Sequence, residues 1–160
     1  MKKIFKVLCM LIVVVVCLCG CVDKPTPTTL DSLTIPTLKD GQMAIILRDG
    51  NTYTNYVINL KSSQTTAQDA LEQLQQDYQV EVVWQESQYG AFLTKIGNLQ
   101  QDESNGKYIM VLTSDAQNHG NWAGVVTYNV GDVSITDASV GVTELTVSSG
   151  TILLFEVRGY

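Results

Sequence analysis

One stretch of this 160-residue chain repeats its apolar residues at helical spacing, and the rest of the body reads as short strands. In residues 62–78 (SSQTTAQDALEQLQQDY), Ala67, Ala70, Leu71, Leu74 and Tyr78 recur three and four positions apart, the spacing of one helix face. Thr66 stands where an N-cap belongs, with Asp69 three residues on in the capping-box position. The pattern predicts one amphipathic helix of about three turns, ending near Tyr78. Its Leu71/Leu74 stripe needs an apolar layer to lie on, so a single such helix calls for a sheet beneath it.

The sheet is drawn from several segments. Residues 43–47 (MAIIL) and 52–60 (TYTNYVINL) flank the turn chemistry of Asp49-Gly50-Asn51 and read as a β-hairpin. Residues 80–84 (VEVVW) read as a strand, 85–91 as a polar turn, 92–96 as a strand edge, and 100–106 (QQDESNG) as an acidic loop. Residues 108–113 (YIMVLT) are the most apolar run of the body and the expected central strand. A loop, 114–121, leads to Trp122; a short strand over 125–128 follows, then turns at Gly131-Asp132 and Thr136-Asp137. Strands over 143–147 and 151–157 close the chain. One helix among six to eight short strands predicts an α+β fold: a single small domain, mostly antiparallel sheet with the helix packed on it.

The N-terminus carries a different signal. Lys2, Lys3 and Lys6 precede an apolar run over 7–18, the layout of a secretory signal and shorter than the ~20 residues a spanning helix needs. Leu18-Cys19-Gly20-Cys21 resembles the bacterial lipobox. That resemblance implies a diacylglycerol on the Cys21 sulfur, cleavage after Gly20, and a lipoprotein held on the extracytoplasmic face of the bacterial cell membrane. An ordinary secretory signal and an uncleaved anchor helix are the alternatives. Three of the four cysteines lie before Cys21, so the body after it has no internal disulfide available to it. Residues 21–40 hold all three prolines and read as an extended stalk; their end, with Leu33 and Ile35, is the alternative candidate for an edge strand. The folded domain is expected over 41–160. After Gly20 the chain has seven basic and sixteen acidic residues, a formal charge of −9. That balance disfavours nucleic acid and anionic lipid surfaces as partners.

From about Gln64 onward the chain resembles the transcobalamin-like C-terminal domain family of bacterial surface proteins. The resemblance is carried by the helix start TAQDAL (66–71), by YGAFLTKIG (89–97), by YIMVL (108–112) and by VGVTELTVSSGTIL (140–153). Tyr108 stands where the family often has Trp, and Gly150-Thr151 stands where its closing turn usually has Gly-Asp. The resemblance implies a compact β-rich domain with one helix on a sheet, similar to a β-grasp. It also implies a relation to the animal cobalamin carriers, which use such a domain as one half of a clamp on the corrin.

Candidate chemistry is sparse. His119 is the only histidine, set in the polar loop Asn118-His119-Gly120-Asn121, and one His without Cys or paired carboxylates cannot close a metal site. A solvated loop histidine is the plainer reading. Tyr89, Tyr108 and Trp122 are candidate groove aromatics; for Tyr108 a core position is the stronger expectation, and Trp122 is balanced between the two. The 100–106 loop lacks the alternating oxygen spacing of an EF-hand. No Gly-x-Ser-x-Gly, phosphate loop or dinucleotide fingerprint is present. The expected function is a non-enzymatic, membrane-tethered binding module. Its ligand-binding residues are drawn from Tyr89, Tyr108, His119 and Trp122, its small ligand is a corrinoid such as cobalamin or another small molecule, and it requires no cofactor or metal. A protein-interaction or adhesion domain meeting a surface protein is the alternative, and a hydrolase using His119 a weaker third.

Overall fold

The computed structural model describes residues 28–30, 32–61, 65–88 and 90–159. The N-terminal signal and Cys21 therefore lie outside the described residues, as does Tyr89. The strands in chain order are β1 (Thr28–Thr29), β2 (Gln42–Asp49), β3 (Thr52–Asn59), β4 (Thr65–Thr66), β5 (Val82–Ser87), β6 (Gly90–Ile96), β7 (Leu99–Gln100), β8 (Lys107–Thr113), β9 (Thr127–Val130), β10 (Val133–Asp137), β11 (Thr146–Val147) and β12 (Ile152–Gly159). The helix, α1, is Ala67–Tyr78.

The main sheet runs β1-β9-β10-β8-β12-β2-β3. Its pairs are antiparallel except β12 with β2 and β1 with β9. Both faces of the sheet are covered, and this accounts for the two continuous apolar runs. Met43–Leu47 in β2 and Ile152–Phe155 in β12 are buried residue by residue, the mark of a strand with a core on each side. Odd positions (Met43, Ile45, Leu47, Leu153, Phe155) meet the Ala67, Ala70, Leu71, Leu74 stripe of α1 and the inner face of a small β5-β6-β7 sheet. Even positions (Ala44, Ile46, Ile152, Leu154) meet Leu30, Leu33, Tyr128 and Ile135.

The helix starts as its sequence predicts. Asp69 N–H donates to Thr66 Oγ1 at 3.2 Å, while Thr66 N–H donates to Asp69 Oδ2 at 3.0 Å and the Thr65 hydroxyl to the same oxygen at 2.7 Å. The Thr66 amide and these hydroxyls hold the Asp69 carboxyl below its ordinary range. A depressed folded pKa stabilises above the unfolded value of ~3.9 and is lost as pH falls through the folded one. Asp69→Ala is expected to cost about 0.5–1 kcal/mol at pH 7, and the difference from the parent in urea titrations should shrink as pH falls below the unfolded value of ~3.9.

Several expectations are corrected. The segment before Gly41 is part of the domain: β1 pairs with β9, and Leu30 and Leu33 are buried. Only the second face of the sheet, invisible in the sequence, asks for those two leucines. The polar stretch 85–91 is mostly strand, β5 and β6 being paired from Val82↔Ile96 to Ser87↔Gly90; the exposed end of the ladder extends a hairpin whose Val82, Leu93 and Ile96 are buried in the core. Thr136 and Asp137 form no turn but end β10, buried at 5% and 2% exposure. Within 143–147 only Thr146–Val147 is strand, paired with β4, and the strand expected over 125–128 runs from Thr127 to Val130. Short pairs bring the strand elements among the described residues to twelve.

Candidate functional site

β10 pairs with β8 only at Thr136↔Thr113 and Asp137↔Leu112, then leaves. Ala138 N–H makes one last bond to Val111 O at 3.0 Å. In an antiparallel ladder a residue's N–H and C=O point to the same side, and the side alternates. The backbone of Val111, and of Ile109 two residues earlier, therefore faces away from β12. A groove of about 490 Å³ opens beside this part of β8. Ile109, Val111 and Phe155 line it from the sheet, Phe92 and Leu93 from β6, and Val140 and Val142 from the segment that follows β10. Its volume lies in the range of small-molecule sites, which are mostly apolar with a few polar groups. Here the polar groups include Gln101, Thr143 and Glu144.

Trp122, Tyr108 and Phe92 also line the groove, and they are unusually exposed for such large side chains, at 46%, 39% and 51%. Tyr108 thus lines the groove and is not in the core: β12 pairs with its end of β8 on one side, but β10 has departed from the other. The Trp122 ring has a built seat. A Cβ on Gly120 would stand 2.3 Å from Trp122 Cζ3 and Cη2 and 3.0 Å from Asp137 O. Only glycine lets the indole lie this close to the backbone. Gly120 N–H donates to Asp137 O at 2.7 Å, and Ser139 N–H to Asn118 O at 2.8 Å. Asp115 closes the turn before them, accepting from Gln117 N–H at 3.0 Å and Asn118 Nδ2 at 2.8 Å. The loop that the sequence marks only as polar is a fastened mount for Trp122.

His119 belongs to that mount. Its Nε2 lies 3.1 Å from Thr113 O. A carbonyl only accepts, so Nε2 carries the proton and the ring is tied to the end of β8. His119 is bridged to Ala138 and does not line the groove. Of the sequence candidates, Tyr108 and Trp122 come together, His119 stands behind them, and Tyr89 lies outside the described residues. Phe92, Phe155 and Glu144 were missed; the first two read as ordinary strand residues, and nothing local marks Glu144. Among the described residues no three His, Cys, Asp or Glu side chains gather as metal ligands. In the acidic loop, Asp102 accepts from Ser104 Oγ at 2.6 Å and Asn105 Nδ2 at 2.5 Å. Asn105 first, then Ser104, holds the Asp102 carboxyl below its ordinary range.

The strongest electrostatic feature is a set of ion pairs carried by the end of the main sheet. Glu156 accepts from Arg48 Nη1 at 2.7 Å, and Tyr128 Oη, itself 2.6 Å from Arg48 Nη1, reaches Glu156 Oε1 at 3.1 Å. The Arg48 guanidinium lies 4.9 Å from the Tyr128 ring centroid. Arg158 forks onto both oxygens of Asp137, which also accepts from Val126 N–H at 2.8 Å. Arg158 Nε lies 2.9 Å from Glu156 Oε1, an ion contact without hydrogen-bond alignment. Two cations and two carboxylates balance, so the cluster spends its charge internally.

No family model and no curated protein matches this sequence. The fold does have solved likenesses. One is a "putative metal binding protein" from Ruminococcus gnavus ATCC 29149, with a TM-score of 0.50 at 11% identity over 76% of this chain and 99% of that one. Another is haptocorrin in complex with Cbi, with a TM-score of 0.52 at 15% identity over 79% of this chain and 27% of haptocorrin. At such identities the likeness is one of fold. The chain corresponds to about a quarter of haptocorrin's length.

Proposed function

We propose that this protein is a non-enzymatic ligand-binding module of transcobalamin-like type, tethered through Cys21 to the extracytoplasmic face of a bacterial membrane. The observation that carries the binding role is the groove beside β8, where exposed Trp122, Tyr108 and Phe92 surround an apolar floor. Three large aromatic surfaces left open to solvent cost hydrophobic free energy that a ligand would recover. The sheet order β3-β2-β12-β8, with a hairpin, then the helix, then a last strand set parallel to β2, supports the β-grasp likeness. Haptocorrin, a quarter of which shares this fold, is solved in complex with Cbi, and this makes a corrinoid the first ligand to try. The groove is open, so it would cover one side of such a macrocycle and leave the rest to solvent or to a second protein.

Titration of the purified protein with cobinamide, followed by calorimetry and by the corrin absorption bands, tests the reading. Binding in the micromolar range is expected, with Trp122→Ala weakening it by about ten-fold, the loss of one stacked aromatic. An absence of heat and of spectral change up to high micromolar concentration would remove the corrinoid from consideration. The tether is tested separately: incorporation of labelled palmitate into the expressed protein, and its loss in Cys21→Ser, is the expected result.

A further inference from the structure

We infer that the groove selects ligands that set a positive charge beside a flat or apolar ring, and rejects anions. This rests on the groove being the ligand site, as proposed above, and adds the chemical class of what enters it. The rings of Phe92, Tyr108 and Trp122 are each more than a third exposed at its walls. An aromatic face carries the negative side of its quadrupole outward, so it attracts cations and repels anions. Trp122 is held at the groove in a fixed position, since its ring is backed by the Gly120 backbone and the loop is tied to Asp137 and Ser139.

The charged groups agree in sign. Among the described residues that line the groove there is no Lys, Arg or His, while Glu144 supplies an exposed carboxylate. Arg158 stands opposite Tyr108 in the β8–β12 register, but its guanidinium is already held by Asp137 and lies against Glu156. It has no charge to lend an incoming anion. A carboxylate or phosphate entering the groove would shed water and find neither a cation nor a built anion nest. A protonated or quaternary amine would meet three exposed aromatic rings and Glu144.

A matched pair of probes tests this on the whole protein. 2-Naphthylmethylammonium and 2-naphthoate have the same ring and opposite charge. Each is titrated into isotopically labelled protein at equal ionic strength, following the indole N–H resonance of Trp122, identified by its loss in Trp122→Phe. The cation is expected to bind at least about five-fold more tightly than the anion, the scale of a cation on partly desolvated rings. Glu144→Gln should lower that ratio by about two- to three-fold without moving the rest of the spectrum, as befits an exposed side chain. Equal or tighter binding of 2-naphthoate would overturn the charge preference while leaving the groove as the ligand site. Failure of both probes to move Trp122 would overturn the site itself. An unchanged ratio in Glu144→Gln would overturn the part given to that carboxylate.

Discussion

Replacing Glu156 with Gln is expected to lower the folding stability by about 3 kcal/mol, the low end of the cost of breaking a buried ion pair. The substitution keeps the shape and removes only the charge, so the loss is electrostatic. Glu156 keeps 5% of its side chain exposed, and it is shared between Arg48 and Arg158, whose side chains retain 21% and 23%. Without it, Arg158 keeps the other carboxylate of the cluster, Asp137, while Arg48 is left with no carboxylate, only the Tyr128 hydroxyl and ring and the Gly50 carbonyl. The partial exposure of the arginines lets water relieve part of the penalty, which sets the estimate at the low end. Urea unfolding at pH 7 measures it, and a change under about 0.5 kcal/mol would show that the cluster is solvated in effect. Arg48→Met combined with Glu156→Met should recover most of the loss, because apolar groups of similar volume replace a buried pair at little cost. The same cluster sets an alkaline limit. Burial, and next the Glu156 charge, push the Tyr128 phenol above its ordinary value. A raised folded pKa means that its contribution is whole below the unfolded value of ~10 and is lost as pH rises through the folded one. Tyr128→Phe should flatten the stability curve above about pH 10.

Phe155→Ala should cost about 3–5 kcal/mol, the range for truncating a fully buried aromatic. Phe155 is 0% exposed, pairs across the ladder with Val111, and faces the α1 side of the sheet while forming part of the groove floor. Two effects are joined at this residue. The core loses packing on the α1 face of the sheet, and the groove deepens by the volume of the missing ring. Phe155→Leu keeps most of the volume and should cost under about 1.5 kcal/mol. Thermal unfolding separates the two variants. A loss below about 2 kcal/mol in Phe155→Ala would mean that β6 or the 140–142 segment collapses into the space. In that case cobinamide binding should fall as well, since the same residues would close the groove.

Much of the framework was readable along the chain. The helix came out at Ala67–Tyr78 with its capping box on Thr66 and Asp69, because those signals are local: hydrogen bonds and spacing within one turn. The first hairpin followed from turn residues between two apolar runs and is paired from Gln42↔Asn59 to Asp49↔Thr52. Tyr108, for which the sequence favours a core position, lines the groove instead, beside Trp122. Asp137 shows where such reading stops. A Thr-Asp pair after a short strand carries turn chemistry, and what keeps it in β10 is Arg158, twenty-one residues away. Leu30 and Leu33 look like stalk residues until a second face of the sheet is there to receive them.

The sequence by itself determined the capped helix, the first hairpin, and a cysteine pattern that leaves the domain to be held by burial rather than by disulfides. Those are properties of neighbours along the chain. Only the tertiary structure decided that β10 leaves β8 after Asp137, that the opening beside β8 is walled by Phe92, Trp122 and the segment after β10, and that Gly120 seats the indole. Each depends on strands far apart in sequence meeting at one register. Pairing of that kind is set by which faces bury the most apolar surface together, a property of the assembled sheet and not of any one segment.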